Sequence, residues 1–271
     1  MIAVPKIHKP EAIVVAGGGS KSMAALGTLH VMKKAGHLEK IKTVAGTSAG
    51  AIVAASLALN RDPIQMAKKI TEKSYSPDFD IKNFGNSFGL DSGRNLFQWI
   101  DIVLDNETFT FRSIYDKTGI SLIVCATNLS TSSPVYFSHV DHPDMDVRLA
   151  IRMSCSIPIY FSAVRFEDEV YVDGALSDPF PIDHVMKSSN NVLGIRYDSK
   201  EYETPMKVDG LDDFFRALIA TTTKDRYSPN ANVFTIDVGD LSVLDFQSPK
   251  KLKKAFKIGH DAMANFLKKN D

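Results

Sequence analysis

The stretch that decides the fold is Lys42-Thr43-Val44-Ala45-Gly46-Thr47-Ser48-Ala49-Gly50, followed by AIVAASLALN up to residue 60. Residues 43–45 predict a short strand, and residues 49–60, rich in Ala and Leu, predict a helix. Between them Gly46, Ser48 and Gly50 form a G-x-S-x-G pattern, which in this context is typical of a nucleophile on a sharp turn. Such a turn exposes the Ser48 hydroxyl, and the N–H of Ala49 can bind an oxyanion. A glycine-rich turn with an incidental serine would show the same letters.

Apolar runs on both sides of this turn predict further strands, and helical patterns alternate with them. The runs AIVVA and SLIVCA are apolar throughout, which is typical of strands buried between helical layers. Asp62, Pro63 and Gln65 stand where one helix would have its N-cap, its first residue and its capping partner. The alternation predicts an α/β sandwich in a single domain, residues 1–271. Strands are predicted at residues 12–16, 43–45, 121–126, 135–137, 170–172, 192–197 and 233–236, helices at 22–34, 49–60, 62–72 and 248–269, and loops or a lid at 74–87 and 198–209.

A second glycine-rich turn, Gly17-Gly18-Gly19, lies between the first predicted strand and the first predicted helix. Consecutive glycines allow unusual backbone conformations, and their N–H groups at a helix N-terminus make a site for negative charge. That charge could be a nucleotide phosphate or a transient oxyanion. The letters GGGSKS, which include Lys21, fit neither G-x-G-x-x-G nor the P-loop pattern. A tight connection without any ligand is an equally open interpretation.

A serine hydroxyl needs a base to become a good nucleophile, and histidine is the usual choice. Asp173-Gly174-Ala175 follows the predicted strand 170–172 and leaves room for a close approach of the backbone, so Asp173 is the better candidate here. An Asp-Gly hairpin turn is the alternative. The seven histidines do not follow an evident strand end beside small residues and are better interpreted as surface or core side chains: His8, His30, His37, His139, His142, His184 and His260.

The composition excludes several classes of protein. Hydrophobic residues make up 44% of the chain and charged residues 24%, and 32 basic residues balance 32 acidic ones, so nothing indicates binding to nucleic acid. No apolar run reaches the ~18 residues of a transmembrane helix, and the N-terminus lacks the apolar core of a secretory signal. Cys125 and Cys155 lie in apolar surroundings and predict buried thiols in a reducing, cytoplasmic compartment, with a single disulfide as the minority alternative. No metal-ligand spacing and no cofactor motif is found.

Together these motifs resemble the patatin-like phospholipase family, a relative of the cytosolic phospholipase A catalytic domain. The family has a glycine-rich oxyanion loop, a G-x-S-x-G turn and a later D-G-[AG], and this chain has all three in that order. Residues 89–104 resemble a family helix, the segment that ends at Ser138 resembles the middle of the family's sheet, and AIRMSCSIPIYF before EVYVDGALSDPFPI resembles the run into the catalytic Asp. The resemblance covers residues 12–197.

The resemblance implies a three-layer α/β/α sandwich with a central, mostly parallel sheet, and a Ser-Asp dyad that needs no histidine and no metal. Ser48 and Asp173 would be catalytic and would hydrolyse a fatty-acyl ester of a phospholipid or lysophospholipid through an acyl-enzyme. An Asp with its ordinary pKa near ~3.9 is a weak base at neutral pH, so oxyanion stabilisation is expected to carry much of the catalysis. The oxyanion hole would use Gly17, Gly18, Gly19 and Ala49, with Lys21, Gly46, Gly50 and Gly174 as motif support.

Two features leave alternatives open. Ser22 stands where the family usually has Gly, which could distort the oxyanion hole and would suit an inactive lipid-binding module. A conventional Ser-His-Asp esterase that uses His184, and a nucleotide-binding domain built on GGGSKS, are the other readings. The last helix carries many lysines that could contact an anionic membrane, although a solvated helix face is the simpler interpretation: Lys250, Lys251, Lys253, Lys254, Lys257, Lys268 and Lys269.

Overall fold

Strands and helices alternate along the chain in the computed structural model, which describes residues 7, 9–73, 75–199, 208–210, 214, 217 and 227–270. The strands in chain order are β1 Ala12–Val15, β2 Thr43–Thr47, β3 Gly89–Asp91, β4 Ser121–Asn128, β5 Ser133–Phe137, β6 Ile159–Phe161, β7 Val164–Phe166, β8 Glu169–Asp173, β9 Val192–Asp198 and β10 Val233–Asp237. The helices are α1 Ser22–Lys34, α2 Ala49–Ala58, α3 Pro63–Glu72, α4 Ile81–Ser87, α5 Arg94–Val103, α6 Phe111–Thr118, α7 Val147–Ser154, α8 Ile182–Met186 and α9 Pro249–Asn270.

The central sheet of the described residues has eight strands in the order β10-β9-β1-β2-β4-β8-β7, with β5 paired to β4. The pairs from β10 to β4 are parallel, whereas β5, β7 and β8 pair antiparallel. Alternate residues of β1 belong to two separate cores, one packed by α1, α2 and α9 and the other by α8. Both faces of the sheet are therefore buried, and the predicted α/β fold with a central, mostly parallel sheet is confirmed.

The predicted strands and the four predicted helices coincide with observed elements, with boundaries that differ by one or two residues. Asp62 caps α3 by accepting a hydrogen bond from the N–H of Ile64 at 3.0 Å, and Pro63 is the first helical residue. These elements were predictable because their signals are local: apolar runs, a cap and a proline.

Two predictions on the segment before residue 104 were wrong. Residues 74–87 were predicted as a loop or lid, yet α4 occupies the end of that segment, with Asp80 as its N-cap. Its large apolar side chains, Ile81 and Phe84, are exposed, so the helix has no buried apolar face from which it could have been predicted. Residues 89–104 were predicted as one helix, and α5 confirms it for Arg94–Val103, but Gly89 opens the strand β3, which pairs with β6. A Cβ on Gly89 would lie 2.1 Å from the backbone carbon of Phe161, so the two strands approach closely. The predicted loop 198–209 falls mostly outside the described residues.

The C-terminal helix α9 crosses α1 at very short range. A Cβ on Gly259 would lie 1.8 Å from the carbonyl oxygen of Ala24, and one on Gly27 would lie 2.1 Å from that of Phe256. The hydroxyl of Thr28 donates to the carbonyl of Gly259 at 3.1 Å. This contact fixes the turn before α9, which in turn supports the glycine-rich loop described below.

Candidate active site

The G-x-S-x-G turn lies between β2 and α2, as the sequence predicts. Ser48 has φ 53° and ψ −131°, a strained conformation for a residue with a side chain. Its flanking glycines are required by space, because a Cβ on Gly46 would lie 2.3 Å from the carbonyl of Gly50, and one on Gly50 would lie 2.5 Å from those of Ala16 and Val15. The turn thus presents the Ser48 side chain at the carboxyl end of the parallel strands.

The backbone of Ser48 is fixed by a residue that the sequence analysis missed. The N–H of Ser48 donates to Ser154 Oγ at 2.7 Å, and the Ser154 hydroxyl donates to the carbonyl of Cys125 at 2.5 Å. Ser154 is fully buried at the end of α7. Because its N–H is held in this way, Ser48 keeps its strained conformation. The only sequence signal was the small, polar SCS run before β6.

Asp173, at the end of β8, meets the Ser48 side chain directly. The Ser48 hydroxyl donates to Asp173 Oδ2 at 2.7 Å, and the N–H of Ala175 donates to Oδ1 at 2.9 Å. Asp173 is only 2% exposed and Ser48 9%. Gly174 is required here, because a Cβ would lie 2.3 Å from the carbonyl of Cys125. Two residues that are 125 positions apart in the chain are thereby brought into hydrogen-bond contact.

Burial changes the acid–base properties of this pair. Burial raises the pKa of Asp173 from 3.8 to about 7, against the opposing hydrogen bonds from Ala175 and Ser48. Asp173 is therefore a stronger base near neutral pH than its ordinary pKa suggested in the sequence analysis. The neighbouring Cys155 stays a neutral thiol, because burial raises its pKa well above the ordinary value. Cys125 and Cys155 are both free thiols, as predicted.

The glycine-rich loop lies beside the turn that carries Ser48. Gly17 directs its N–H away, to the carbonyl of Pro179 at 2.9 Å, so it is not available to an oxyanion. Within the described residues, the N–H groups of Gly18, Gly19 and Ala49 donate no hydrogen bond. Gly19 has φ +54°, and a Cβ there would lie 2.1 Å from the carbonyl of Val243.

The rest of the loop is anchored to the C-terminal part of the chain. The N–H of Ser20 donates to the carbonyl of Val243 at 3.1 Å, and the Ser20 hydroxyl donates to the carbonyl of Ser242 at 2.6 Å. Lys21 is buried within the same loop. The Ser22 hydroxyl donates to the carbonyl of Gly19 at 2.8 Å and closes the turn at the start of α1. Ser22, the departure from the family pattern, is thus accommodated without opening the loop.

A pocket of about 550 Å³ opens above Ser48 and Asp173. Both glycine-rich turns form part of its wall. Most of the remaining lining is apolar, and α2, α3, α5 and β6 contribute part of it, including Ile52, Val53, Ile70, Leu96, Trp99 and Phe161. A volume of this size is within the range of small-molecule and acyl-chain sites.

None of the described histidines lines this pocket or bonds to Ser48. His184 instead stacks on Tyr136, with 3.6 Å between ring centroids. Tyr136 donates its hydroxyl to Asp178 Oδ2 at 2.7 Å. This group of Tyr136, Asp178 and His184 contacts the Ser48 turn through Thr47, whose hydroxyl donates to the carbonyl of Asp178 at 2.9 Å. His184 therefore does not occupy the place of a general base for Ser48.

Membrane and metal features are few. Among the described residues, no helix combines the length and apolar character that crossing a bilayer requires. The same residues contain no cluster of three His, Cys, Asp or Glu side chains suited to a metal ion. The predictions of no metal and no cofactor remain predictions.

The fold and this site define the class of protein, and comparison with known sequences gives the family. The sequence model described as patatin-like phospholipase matches residues 13–186, so the chain belongs to that family.

Among relatives, a protein of Invertebrate iridescent virus 6 named "Probable lipid hydrolase 463L" is 29% identical over 69% of this chain and 66% of its own length. The uncharacterized protein YqhO of Bacillus subtilis is 27% identical over 94% of this chain and 97% of its own.

Solved structures agree on the fold. VipD from Legionella pneumophila superposes with a TM-score of 0.62 at 17% identity, covering 96% of this chain and 67% of that one. The human GIVD cytosolic phospholipase A2 superposes with a TM-score of 0.54 at 11% identity, covering 95% and 58%. At such identities the likeness concerns the fold alone.

Proposed function

We propose that this chain is a serine lipid acyl hydrolase in which Ser48 is the nucleophile and Asp173 its base. The observation that carries the proposal is the 2.7 Å hydrogen bond between the Ser48 hydroxyl and a buried carboxylate, at the base of an apolar pocket. The family, whose description names phospholipases, and the relative named as a lipid hydrolase support lipid hydrolysis as the general activity.

The chemistry proceeds through an acyl-enzyme. Asp173 takes the proton of Ser48 while Oγ attacks the ester carbonyl carbon, and the oxyanion accepts hydrogen bonds from Gly18, Gly19 and Ala49. The tetrahedral intermediate collapses, the ester C–O bond breaks, and Asp173 returns the proton to the departing alcohol or lysolipid. Water then loses a proton to Asp173 and attacks the acyl-Ser48 carbonyl. Collapse releases the fatty acid and restores the Ser48 hydroxyl.

The volume and polarity of the pocket support a lipid as the substrate. Its wall is mostly aliphatic and aromatic side chains, which suit a fatty-acyl chain and not a charged one. The ester carbonyl must reach Ser48, so the polar remainder of the lipid would extend toward the polar lining residues, among them Arg196 and Asp198. We propose a phospholipid or lysophospholipid as the substrate.

The test is hydrolysis of a mixed phospholipid and lysophospholipid panel, read by mass spectrometry. Wild type should release fatty acid, and Ser48→Ala and Asp173→Asn should each lose activity by a factor of about 10⁴ or more while remaining folded. Ser56→Ala is the matched control, since Ser56 is equally buried on α2 but does not line the pocket. Activity that survives in Ser48→Ala would refute the proposal.

A covalent probe separates chemistry from binding. An alkyl fluorophosphonate should label the wild-type protein on Ser48 and on no other residue. The Asp173→Asn variant should be labelled far more slowly, because its Ser48 hydroxyl lacks the base that activates it. Wild type that binds lipid yet neither turns over nor reacts with the probe would indicate a lipid-binding module without chemistry.

A further inference from the structure

An exposed apolar patch lies outside the candidate active site, on and beside α4. We define it as Phe79, Ile81, Phe84 and Phe88, whose exposed fractions are 53%, 74%, 44% and 56%. Ile81 and Phe84 are three residues apart and so lie on one side of the short helix, and Phe88 directly follows its last residue. Singly exposed apolar residues are common on proteins, but a contiguous group of large ones marks an interaction site.

Neither folding nor helix capping explains these side chains. Asp80 already caps α4 by accepting a hydrogen bond from the N–H of Lys82 at 2.9 Å. At the other end, Phe88 is in the left-handed conformation, φ 62°, where Gly or Asn would be favoured. A phenylalanine in that position is strained, and it still exposes more than half of its surface to water. The fold itself therefore gains little from this side chain, which supports a role for it in contact with a partner.

The apolar patch is continuous with the wall of the pocket. The Phe79 ring packs edge-on against Tyr160, with 5.1 Å between centroids, and Tyr160 packs against Phe161 at 4.7 Å. Phe161 lines the pocket that contains Ser48. The end of α4 is also held close to this strand, since Ser87 Oγ lies 2.7 Å from Oγ of Ser162, the residue that follows β6. A chain of aromatic contacts thus connects the exposed Phe79 to the wall of the pocket.

We propose that the apolar patch inserts into the surface of a lipid bilayer and delivers acyl chains to the pocket. This rests on the proposed function, because a lipid ester must leave its bilayer to reach Ser48. The segment 73–88 that carries the patch has two aspartates, Asp78 and Asp80, and two lysines, Lys73 and Lys82, so its charges balance and insertion should depend on apolar burial and not on anionic lipids.

The lysine-rich helix α9 is the less suitable membrane face. Three of its lysines are already paired with carboxylates: Lys251 with Asp245 at 2.7 Å, Lys254 with Asp240 at 2.9 Å, and Lys257 with Asp261. These ion pairs reduce the positive potential that an anionic surface would attract. Insertion through the apolar patch should accordingly persist when salt screens charge.

The binding test uses vesicles of pure phosphatidylcholine and the Ser48→Ala protein, so that the vesicles are not consumed. Ile81→Asp should weaken the partition of the protein to vesicles by about tenfold or more, since a large exposed apolar side chain is replaced by a charged one. Val140→Asp is the matched control, because Val140 is 73% exposed against 74% for Ile81, and it lies outside the pocket lining. It should bind as the parent does.

Salt and a second variant complete this test. Raising salt from about 0.1 M to about 0.5 M should change the partition less than twofold, whereas binding through lysines would fall steeply. Phe84→Ser should weaken binding in the same direction as Ile81→Asp, and thermal unfolding should show both variants folded. Equal binding by Ile81→Asp and Val140→Asp, or loss of binding in salt, would overturn the proposal. Capture of a protein by the patch with no vesicle binding would overturn it too.

Turnover separates the failure of this proposal from that of the proposed function. The measured quantity is the hydrolysis rate on phosphatidylcholine vesicles divided by the rate on a short-chain, water-soluble ester. Ile81→Asp should lower this ratio about tenfold, and Val140→Asp should leave it unchanged. If wild type binds vesicles through Ile81 but hydrolyses no ester, only the proposed function fails. If wild type hydrolyses both substrates and Ile81→Asp keeps the ratio, only the membrane proposal fails.

Discussion

Two strand-to-helix turns lie side by side in this molecule, and they are held in different ways. β1 and β2 are parallel neighbours, with Val15 opposite Gly46. The turn after β2, which carries Ser48, is shaped by its own glycines and by the adjoining strand, since Gly50 packs on the carbonyls of Val15 and Ala16. The turn after β1, the glycine-rich loop, is instead anchored by segments far along the chain, through Pro179 and Val243.

The difference separates the position of the proposed nucleophile, Ser48, from that of the proposed oxyanion donors. The shape of the Ser48 turn depends first on its own glycines, and Ser154 adds one hydrogen bond to its backbone from 106 positions away. The glycine-rich loop keeps the N–H groups of Gly18 and Gly19 unpaired only because distant residues hold the loop open. Its geometry should respond to changes made more than 150 residues away in the sequence, because Ser20 forms a hydrogen bond with Ser242, which is 222 positions further along the chain.

The largest effect should come from breaking the local turn. In Gly50→Ala the new Cβ would lie 2.5 Å from the carbonyl oxygens of Val15 and Ala16, so the adjoining strands must shift. We expect the free energy of unfolding to fall by about 3 kcal/mol or more, measured by urea denaturation. Gly17→Ala is the control, because its Cβ would meet its nearest neighbour, the Thr47 carbonyl, at 3.4 Å. Equal midpoints for the two variants would show that the turn is not locked by packing.

The next largest effect should come from the glycine-rich loop. In Gly19→Ala the new Cβ would lie 2.1 Å from the Val243 carbonyl, which must displace the loop and its oxyanion donor. Loss of one such donor costs about 2.7–4 kcal/mol in the transition state, so kcat on a soluble ester should fall about 10²–10³-fold.

The control for this prediction shares the backbone strain without the contact. Gly239 has φ +62°, close to the +54° of Gly19, and a Cβ there would meet nothing within 4 Å. Gly239→Ala should lose stability but keep its kcat, because the strain alone does not reach the loop. If both variants lost kcat equally, the oxyanion role of Gly19 would be wrong.

The two turns should also differ in their response to pH, because the Ser48 turn faces a carboxyl group whose burial raises its pKa to about 7. Asp173 acts as a base only when ionised, so kcat/KM on a soluble ester should fall about tenfold per pH unit below 7, or about 100-fold at pH 5. The raised pKa means that protonation of Asp173 favours the folded state. The stability from this group is lost as pH rises through 7, so protonation of Asp173 does not itself unfold the protein. A flat profile between pH 5 and 8 would contradict Asp173 as base.

How much the sequence could predict follows the same division. The Ser48 turn, the strand runs and the D-G-A of Asp173 are written in consecutive residues, and their places in the fold were predicted correctly. Ser154 was not predicted, because it lies 106 positions from Ser48 and only the fold brings them together. The raised pKa of Asp173 could not be predicted either, since it depends on burial by residues from several elements.

The glycine-rich loop shows the limit most clearly. All three glycines were predicted as oxyanion donors, yet the N–H of Gly17 donates to the carbonyl of Pro179. The resemblance to the family fades after residue 197, but Val243 and the neighbouring Tyr197 pack on Gly19 and Gly18. Short motifs identify which residues meet; only the tertiary structure tells which N–H groups are left unpaired.

A smaller effect is expected when the outer support of the Ser48 turn is removed. Ser154→Ala leaves the Ser48 N–H and the Cys125 carbonyl without their buried partner, which costs about 1–3 kcal/mol. Because the strained backbone of Ser48 relaxes, kcat should fall about tenfold with little change in KM. Ser138→Ala, also buried and hydrogen-bonded but outside the site, should lose stability and keep kcat. A fall in stability alone for Ser154→Ala would make it merely structural.

The smallest effect should come from His184, and it decides between the dyad and a conventional triad. His184→Asn removes a ring stacked on Tyr136, behind the Ser48 turn, and burial already lowers the pKa of that histidine. Since Ser48 bonds to Asp173 and not to His184, kcat on a soluble ester should change less than about threefold. A loss of about 10³-fold or more would establish a histidine base and overturn the dyad. The effect is small because Tyr136 and Asp178, not the imidazole, connect this side of the sheet to Thr47.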